Sequence, residues 1–164
     1  MKTAKESENL HKSASDFTVG ESVITVGIGA SAGGLEAFKE LLECLPADTG
    51  LSFVIIQHLA AGQESMLAEI LSRFTDMPVQ TVKDNTQIEA NHVYVIPPGT
   101  IMTMDNKILK LDTKGSSTKP IDAFLISLAE DLKALSIGII LSGTGSDGTE
   151  GLKAIKAQGG ITFA

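Results

Sequence analysis

Short runs of β-branched apolar residues alternate with helical apolar stripes along this chain from Val23 onward. The runs carry few polar positions, which is typical of strands buried on both faces of a sheet. Between them, apolar residues recur at intervals of three and four, the spacing of an amphipathic helix. The predicted strands are Val23–Gly29, Leu51–Gln57, Val79–Val82, His92–Ile96, Ile137–Leu141 and Ile161–Phe163, and the predicted helices are Gly33–Leu45, Gln63–Phe74, Ile121–Leu135 and Gly148–Gln158.

This alternation predicts an α/β fold with a doubly wound, mainly parallel sheet flanked by helices, in a Rossmann-like arrangement. One stretch differs, because Ile101–Met104 and Ile108–Leu111 flank Asp105-Asn106 and predict a small antiparallel β-hairpin. In parallel sheets, functional groups collect where strands lead into helices. The loops that follow the strands are therefore the place to look for chemistry.

Composition excludes several classes of protein. Hydrophobic residues make up 43% and charged residues 20%, as in a globular domain, and the single cysteine, Cys44, cannot form an internal disulfide. The 13 basic and 20 acidic residues give a net charge of −7, without a basic patch and with only 4% aromatic residues. We therefore expect no nucleic-acid partner. No apolar run approaches the roughly 18–20 residues that span a bilayer, so we expect a cytoplasmic protein without membrane insertion.

The first predicted strand leads into Gly29-Ala30-Ser31-Ala32-Gly33-Gly34 and then into a helix. This G-x-S-x-G pattern favours a sharp turn that exposes a serine hydroxyl beside helix N-terminal N–H groups. Two other interpretations stay open: Ser31 caps the helix, or Gly27, Gly29 and Ala32 form a dinucleotide fingerprint. The second is disfavoured because the next strand ends in Gln57-His58 and offers no acidic residue for a ribose.

Two further polar residues follow predicted strands. His58 comes at the end of the second strand, where an imidazole could take the proton of the Ser31 hydroxyl. Asp147 lies in the glycine-rich loop after the strand at Ile137–Leu141, where it could orient that histidine or cap a helix. Their order along the chain is no objection, because a catalytic triad is defined by geometry.

The segments around these three residues resemble the chemotaxis protein-glutamate methylesterase domain (CheB type). The resemblance is carried by five ordered motifs that extend over Val23–Ala164: Val26–Gly34, Ile56–His58, Val93–Gly99, Lys119–Asp122 and Leu141–Gly148. It implies a serine esterase that hydrolyses glutamyl methyl esters, and deamidates certain glutamines, on the cytoplasmic helices of chemoreceptors.

The resemblance also assigns roles. The nucleophile falls on Ser31, the base on His58 and the orienting carboxylate on Asp147. The backbone N–H of Thr144 falls at the oxyanion donor, with Ala32 and Gly145 beside the pocket. No cofactor or metal is implied. Thr144 replaces a common methionine, and Ala32 replaces a threonine whose hydroxyl supports the histidine in some members.

Domain organisation is a separate expectation. Residues 1–22 are polar and predict a flexible tail, and residues 23–164 predict the methylesterase domain without the usual receiver domain. Family members continue beyond Phe163, so the resemblance implies that the C-terminal part is missing. We expect some self-association, because an uncovered strand edge near Ile161–Phe163 would invite pairing.

Other residues are predicted to be structural. His92 is expected to be a surface or hydrogen-bonding residue and Cys44 a structural thiol. Asp122 is expected to cap the third helix, with a role in shaping the rim of the site as the alternative. We expect the methionines to line the core or the pocket: Met66, Met102 and Met104. The alternative function is a non-catalytic sensor or interaction module of a larger signalling protein.

Overall fold

The computed structural model describes residues 22–31, 33–57, 66–115, 117–143 and 145–164. The predicted tail, with the exception of Ser22, and the residues Ala32, His58 and Thr144 lie outside the described residues. The strands are β1 (Thr25–Ala30), β2 (Ser52–Gln57), β3 (Val79–Thr81), β4 (Thr86–Gln87), β5 (His92–Val95), β6 (Ile101–Asp105), β7 (Ile108–Asp112), β8 (Ser136–Ser142) and β9 (Ile161–Phe163). The helices are α1 (Leu35–Cys44), α2 (Leu67–Leu71), α3 (Pro120–Leu132) and α4 (Thr149–Ala157), with a 3₁₀ turn at Lys133–Leu135.

Six strands form one parallel sheet in the order β3-β5-β2-β1-β8-β9. Starting from β1, the chain first builds the sheet towards β2 and β5, and later adds β8 and β9 on the other side of β1. This is the doubly wound α/β arrangement that the alternating pattern predicted. The reversal places a topological switch point between β1 and β8, where open α/β sheets form their binding crevice.

Two apolar clusters fill the two sides of the sheet. On one side Val26, Ile28 and Ala30 of β1 pack with α1 and α2. On the other side α3 and α4 pack over the sheet together with the small antiparallel sheet. The residues of β1 that face α3 are Gly27 and Gly29. A Cβ at Gly27 would lie 2.6 Å from a methyl carbon of Leu125, so α3 lies directly against β1.

The predicted hairpin is confirmed as β6 and β7, with β4 as a third strand of an antiparallel sheet in the order β4-β7-β6. The turn differs by one residue from the prediction. Asp105 pairs with Ile108, so the turn residues are Asn106 and Lys107, whose φ angles are 51° and 62°. Positive φ at both positions is the signature of a type I′ turn, which matches the twist of the flanking strands.

One edge of the large sheet is formed by β9, which pairs only with β8 among the described strands. Ile161 and Phe163 are 53% and 57% exposed. Self-association through this edge stays a prediction. Met102 and Met104 are buried as expected, whereas Met66 is 58% exposed and does not lie in the core; its alternative place in the lining of the pocket stays a prediction. Among the described residues, no helix is both long and apolar enough to cross a membrane.

Candidate active site

Ser31 follows β1 directly and lies beside the loop that leaves β8. Its backbone N–H donates to the carbonyl of Ser142 at 3.0 Å, one residue beyond the last paired residue of β1. A Cβ on Gly143 would lie 3.5 Å from the Ser31 Cβ and 3.6 Å from its Oγ. The serine side chain therefore adjoins the backbone of Gly143, at the switch point between β1 and β8.

Close approach of small residues shapes the turn after Ser31. The Gly34 N–H donates to the carbonyl of Ser31 at 2.8 Å, and α1 begins with the next residue, Leu35. A Cβ at Gly34 would lie only 2.2 Å from the Cβ of Ala30, whereas a Cβ at Gly33 would meet no described residue within 4 Å. The turn thus requires glycine at position 34, one residue after the second glycine of the G-x-S-x-G pattern.

Ser31 does not serve as the helix cap that the sequence left open. The N-cap position of α1 is Gly34, and no side chain caps it. The hydroxyl of Ser31 makes no hydrogen bond to any described residue. The Ser31 carbonyl also accepts a long hydrogen bond, 3.5 Å, from Nε2 of Gln57, which is buried at the end of β2. The backbone of this residue is held while its hydroxyl stays available.

The dinucleotide interpretation loses its structural basis. Gly27 and Gly29 lack side chains because α3 covers them: a Cβ at Gly29 would lie 2.5 Å from Cγ2 of Ile121. The space above these glycines is filled by the protein itself, so a pyrophosphate cannot approach them.

The carboxylates of Asp147 and Asp122 each accept backbone N–H groups at the start of the helix to which the other aspartate belongs or leads, and we call this reciprocal pair of caps the exchange. The carboxylate of Asp147, just before α4, accepts the N–H of Ile121 at 3.1 Å and of Asp122 at 2.8 Å, in the first turn of α3. The carboxylate of Asp122 accepts the N–H of Gly148 at 2.9 Å and of Gly151 at 2.8 Å, at the start of α4. Each aspartate therefore caps the helix of the other.

This exchange corrects the expectation for Asp122. Its side chain caps α4 and not its own helix, because its Oδ1 accepts the N–H groups of Gly148 and Gly151. Asp147 likewise caps a helix, but the helix is α3 and not the α4 that it precedes. These bonds occupy part of the capacity of the Asp147 carboxylate, since each oxygen can accept more than one hydrogen bond.

The remaining predicted site residues are divided between described and undescribed positions. Gly145 is exposed in the loop between β8 and α4. His58 follows Gln57, the last residue of β2, and β2 pairs directly with β1. The structure thus brings Ser31 and the Asp147 loop to one rim, while the placements of His58, Ala32 and Thr144 lie outside the described residues.

Charges at the edge of this rim belong to the solvated face of α4. The pKa of Glu150 is lowered mainly by its hydrogen bond from Lys153, at 2.8 Å, and the same hydrogen bond raises the pKa of Lys153. Both side chains are exposed. Within the described ranges, no group of three or more His, Cys, Asp or Glu side chains is placed to hold a metal ion.

Comparison with known proteins decides the family. The family model for the CheB methylesterase matches residues 26–164. The chain belongs to the CheB methylesterase family. Its relatives include a protein of Geobacter sulfurreducens named protein-glutamate methylesterase/protein-glutamine glutaminase 3, which is 33% identical over 85% of this chain and 39% of that protein. An uncharacterised 104.1 kDa protein of Rhodobacter capsulatus is 44% identical over 60% of the chain and 10% of that protein.

The fold agrees with this membership. The crystal structure of the Thermotoga maritima CheB methylesterase catalytic domain superimposes with a TM-score of 0.78 at 29% sequence identity, covering 87% of this chain and 79% of that one. The chain spans less than half the length of the two relatives named above.

Proposed function

We propose that this CheB-family chain is a serine esterase that hydrolyses glutamyl methyl esters on the cytoplasmic helices of chemoreceptors, acting in the cytoplasm during chemotaxis signalling. The observation that carries the proposal is the placement of Ser31. Its backbone is held by hydrogen bonds at the switch point of the sheet, and its hydroxyl has no partner among the described residues. A hydroxyl held in this way is suited to attack a bound ester.

The first half of the reaction would form an acyl-enzyme. His58 accepts the proton of the Ser31 hydroxyl while Oγ forms a bond to the ester carbonyl carbon, and the carbonyl oxygen becomes an oxyanion. The backbone N–H of Thr144 donates to that oxyanion, with Ala32 and Gly145 at the pocket wall. The carbon–methoxy bond then breaks, and the leaving group takes the proton from His58 and departs as methanol.

The second half would release the receptor glutamate. Water attacks the acyl carbon, His58 takes a proton from it, and the bond between the carbon and Ser31 Oγ breaks as the proton returns to Oγ. Asp147 would hold the imidazole in the required tautomer and stabilise its cation. A glutamine side chain in place of the ester would lose ammonia by the same route, which is deamidation.

The exposure of the rim supports an ester of a protein side chain as the substrate. Gly143, Gly145 and Ser146 are exposed, so the loop beside Ser31 is open to a protruding side chain. The reaction is an acyl transfer that the named side chains and backbone groups complete between them. No cofactor is part of the proposal.

The test is methanol release from a methylated chemoreceptor cytoplasmic fragment. Ser31→Ala is expected to abolish the acyl-enzyme and leave only residual hydrolysis. Ser142→Ala is the matched control, because it removes a neighbouring hydroxyl that is buried without a hydrogen-bond partner among the described residues. Thr144→Ala is expected to matter far less than Ser31→Ala, because the proposed role of Thr144 uses its backbone N–H.

Two outcomes would contradict the proposal. Equal hydrolysis by the Ser31→Ala variant and the unaltered protein would place the nucleophile elsewhere. Receptor binding without any methanol release would instead favour a non-catalytic interaction module.

A further inference from the structure

Asp122 is a buried carboxylate that the proposed reaction does not use. It is only 5% exposed, and its Oδ2 is buried without a hydrogen-bond partner among the described residues. Nζ of Lys119 lies 3.8 Å from Oδ2 and forms an ion pair with it, beyond hydrogen-bonding distance. Burying a carboxylate oxygen without a hydrogen bond is unfavourable, and this cost is offset in part by the role of the other oxygen, Oδ1, which accepts two N–H groups at the start of α4.

That role is not the capping of α4 alone. A helix is ordinarily capped by the side chain of its own N-cap residue. In α4 that residue is Gly148, which has no side chain and adopts a φ of +105°. A Cβ there would lie 2.5 Å from Cδ1 of Ile140, so the backbone is too close to β8 for a local capping side chain. The cap comes instead from α3, and this ties the two helices together.

The exchange fixes Asp147 from two directions. The first turn of α3 donates two N–H groups to the Asp147 carboxylate. The Asp122 side chain accepts the N–H of Gly148, the residue bonded to Asp147, and the N–H of Gly151 in the next turn. A loop with glycines at 143, 145 and 148 has little rigidity of its own. Both the side chain and the backbone of Asp147 are thus held by the start of α3.

We propose that Asp122 is a positioning residue that holds Asp147 in the geometry required to orient the catalytic imidazole, an inference that rests on the proposed function. Asp122 itself touches no substrate. It acts on the reaction only through the backbone at Gly148 and hence through the placement of Asp147.

The two halves of the exchange can be separated by mutation. Asp122→Ala removes the acceptor for Gly148 and Gly151 but keeps the backbone N–H that Asp147 accepts. Asp122→Asn keeps an acceptor oxygen at nearly the same place. The chain also offers a matched control: Asp131, on the same helix, accepts the N–H of Asn106 at 2.8 Å and of Lys107 at 2.9 Å, away from the rim.

In methyl ester hydrolysis, Asp122→Ala is expected to lower kcat by about 10²-fold, the scale of a small displacement of a catalytic group, with KM unchanged. Asp122→Asn should recover most of that loss. Asp131→Ala should leave kcat unchanged although it removes the same number of hydrogen bonds. In an Asp147→Ala background, Asp122→Ala should lower kcat little further, because its effect passes through Asp147.

A second measurement is independent of activity. The rate of hydrogen–deuterium exchange at the Ile121 amide, whose N–H is donated to Asp147, should be higher in Asp122→Ala than in the unaltered protein. The rate should be unchanged in Asp131→Ala. Equal kcat losses in the Asp122→Ala and Asp131→Ala variants, or an unchanged exchange rate at Ile121, would overturn the inference. A chain that hydrolyses no methyl ester would reject the proposed function, and Ile121 exchange would then decide the positioning role by itself.

Discussion

The two ends of α3 are bonded to the rest of the molecule by the same chemistry, yet they lie in different surroundings. Near its start, α3 donates two backbone N–H groups to the Asp147 carboxylate, and its own Asp122 carboxylate accepts two backbone N–H groups at the start of α4. Near its end, Asp131 accepts two backbone N–H groups from the tip of the β6–β7 hairpin. In both places a carboxylate joins separate elements by accepting two N–H groups.

What differs is the distance to the rim of the sheet. Ile121, in the first turn of α3, lies against Gly29 at the carboxyl end of β1, while Leu128, two turns later, lies against Gly27. The helix therefore runs antiparallel to β1, with its N-terminus at the end of the sheet where Ser31 is found. The same type of bond has one expected consequence at the hairpin, stability, and an additional one at the rim, the geometry of the reaction.

Substitution of Asp147 is expected to have the largest effect, and it separates the consequence for the reaction from the consequence for stability. Asp147→Asn should keep the shape of the junction but favour the wrong imidazole tautomer, lowering methyl ester hydrolysis by up to ~10⁴-fold. Its midpoint of urea unfolding should fall by about as much as that of Asp131→Asn, because in each variant the amide oxygen can accept only one of the two N–H groups that the two carboxylate oxygens accept. Asp131→Asn is the control and should leave hydrolysis unchanged. An unchanged rate in Asp147→Asn would show that Asp147 serves only as the cap of α3.

A smaller effect tests how tightly the junction is packed. Gly148→Ala adds a Cβ 2.5 Å from Cδ1 of Ile140 at a φ of +105° and should reduce the free energy of unfolding by about 2–4 kcal/mol. The Cβ that Gly145→Ala adds in the same loop would meet no described residue within 4 Å, so this variant should have little effect on stability. Equal unfolding midpoints for the two variants would mean that the loop relaxes freely.

The smallest effect is a gain in stability at the other end of α3. Lys107 has a φ of 62°, where glycine is favoured in a type I′ turn. Lys107→Gly keeps the N–H that Asp131 accepts and should raise the free energy of unfolding by about 0.5–1 kcal/mol, measured by urea titration. Hydrolysis should not change, because the hairpin tip lies away from the rim. A change in kcat here would contradict the separation of the two ends.

The sequence predicted the large sheet well because its signals are local. Continuous β-branched runs identified β1, β2, β5 and β8 with bounds that differ by one or two residues from those of the structure. The sequence did not predict the short strand β4, because its two residues, Thr86–Gln87, are too few to show an alternation of polar and apolar positions. Its identity depends on pairing with β7, more than 20 residues later.

The candidate site was predictable in its location and not in its internal bonding. The glycine-rich loop around Ser31 was visible in the sequence, but the need for glycine at position 34 follows from the contact with Ala30. The exchange between Asp122 and Asp147 joins residues 25 positions apart. From sequence alone, an aspartate near the start of a helix is expected to cap that same helix. The sequence therefore could not predict that each of these two aspartates caps the other helix.

The central position of β1 also has a consequence for the order of folding. β1 pairs on one side with β2, which follows soon along the chain, and on the other side with β8, where Gly27 lies opposite Gly138, roughly a hundred residues later. Pairing over such a separation is slow, because a large loop must close before any contact repays its entropy. During synthesis Ser31 would leave the ribosome well before β8, yet the crevice beside it could not close until β8 and the start of α4 had emerged.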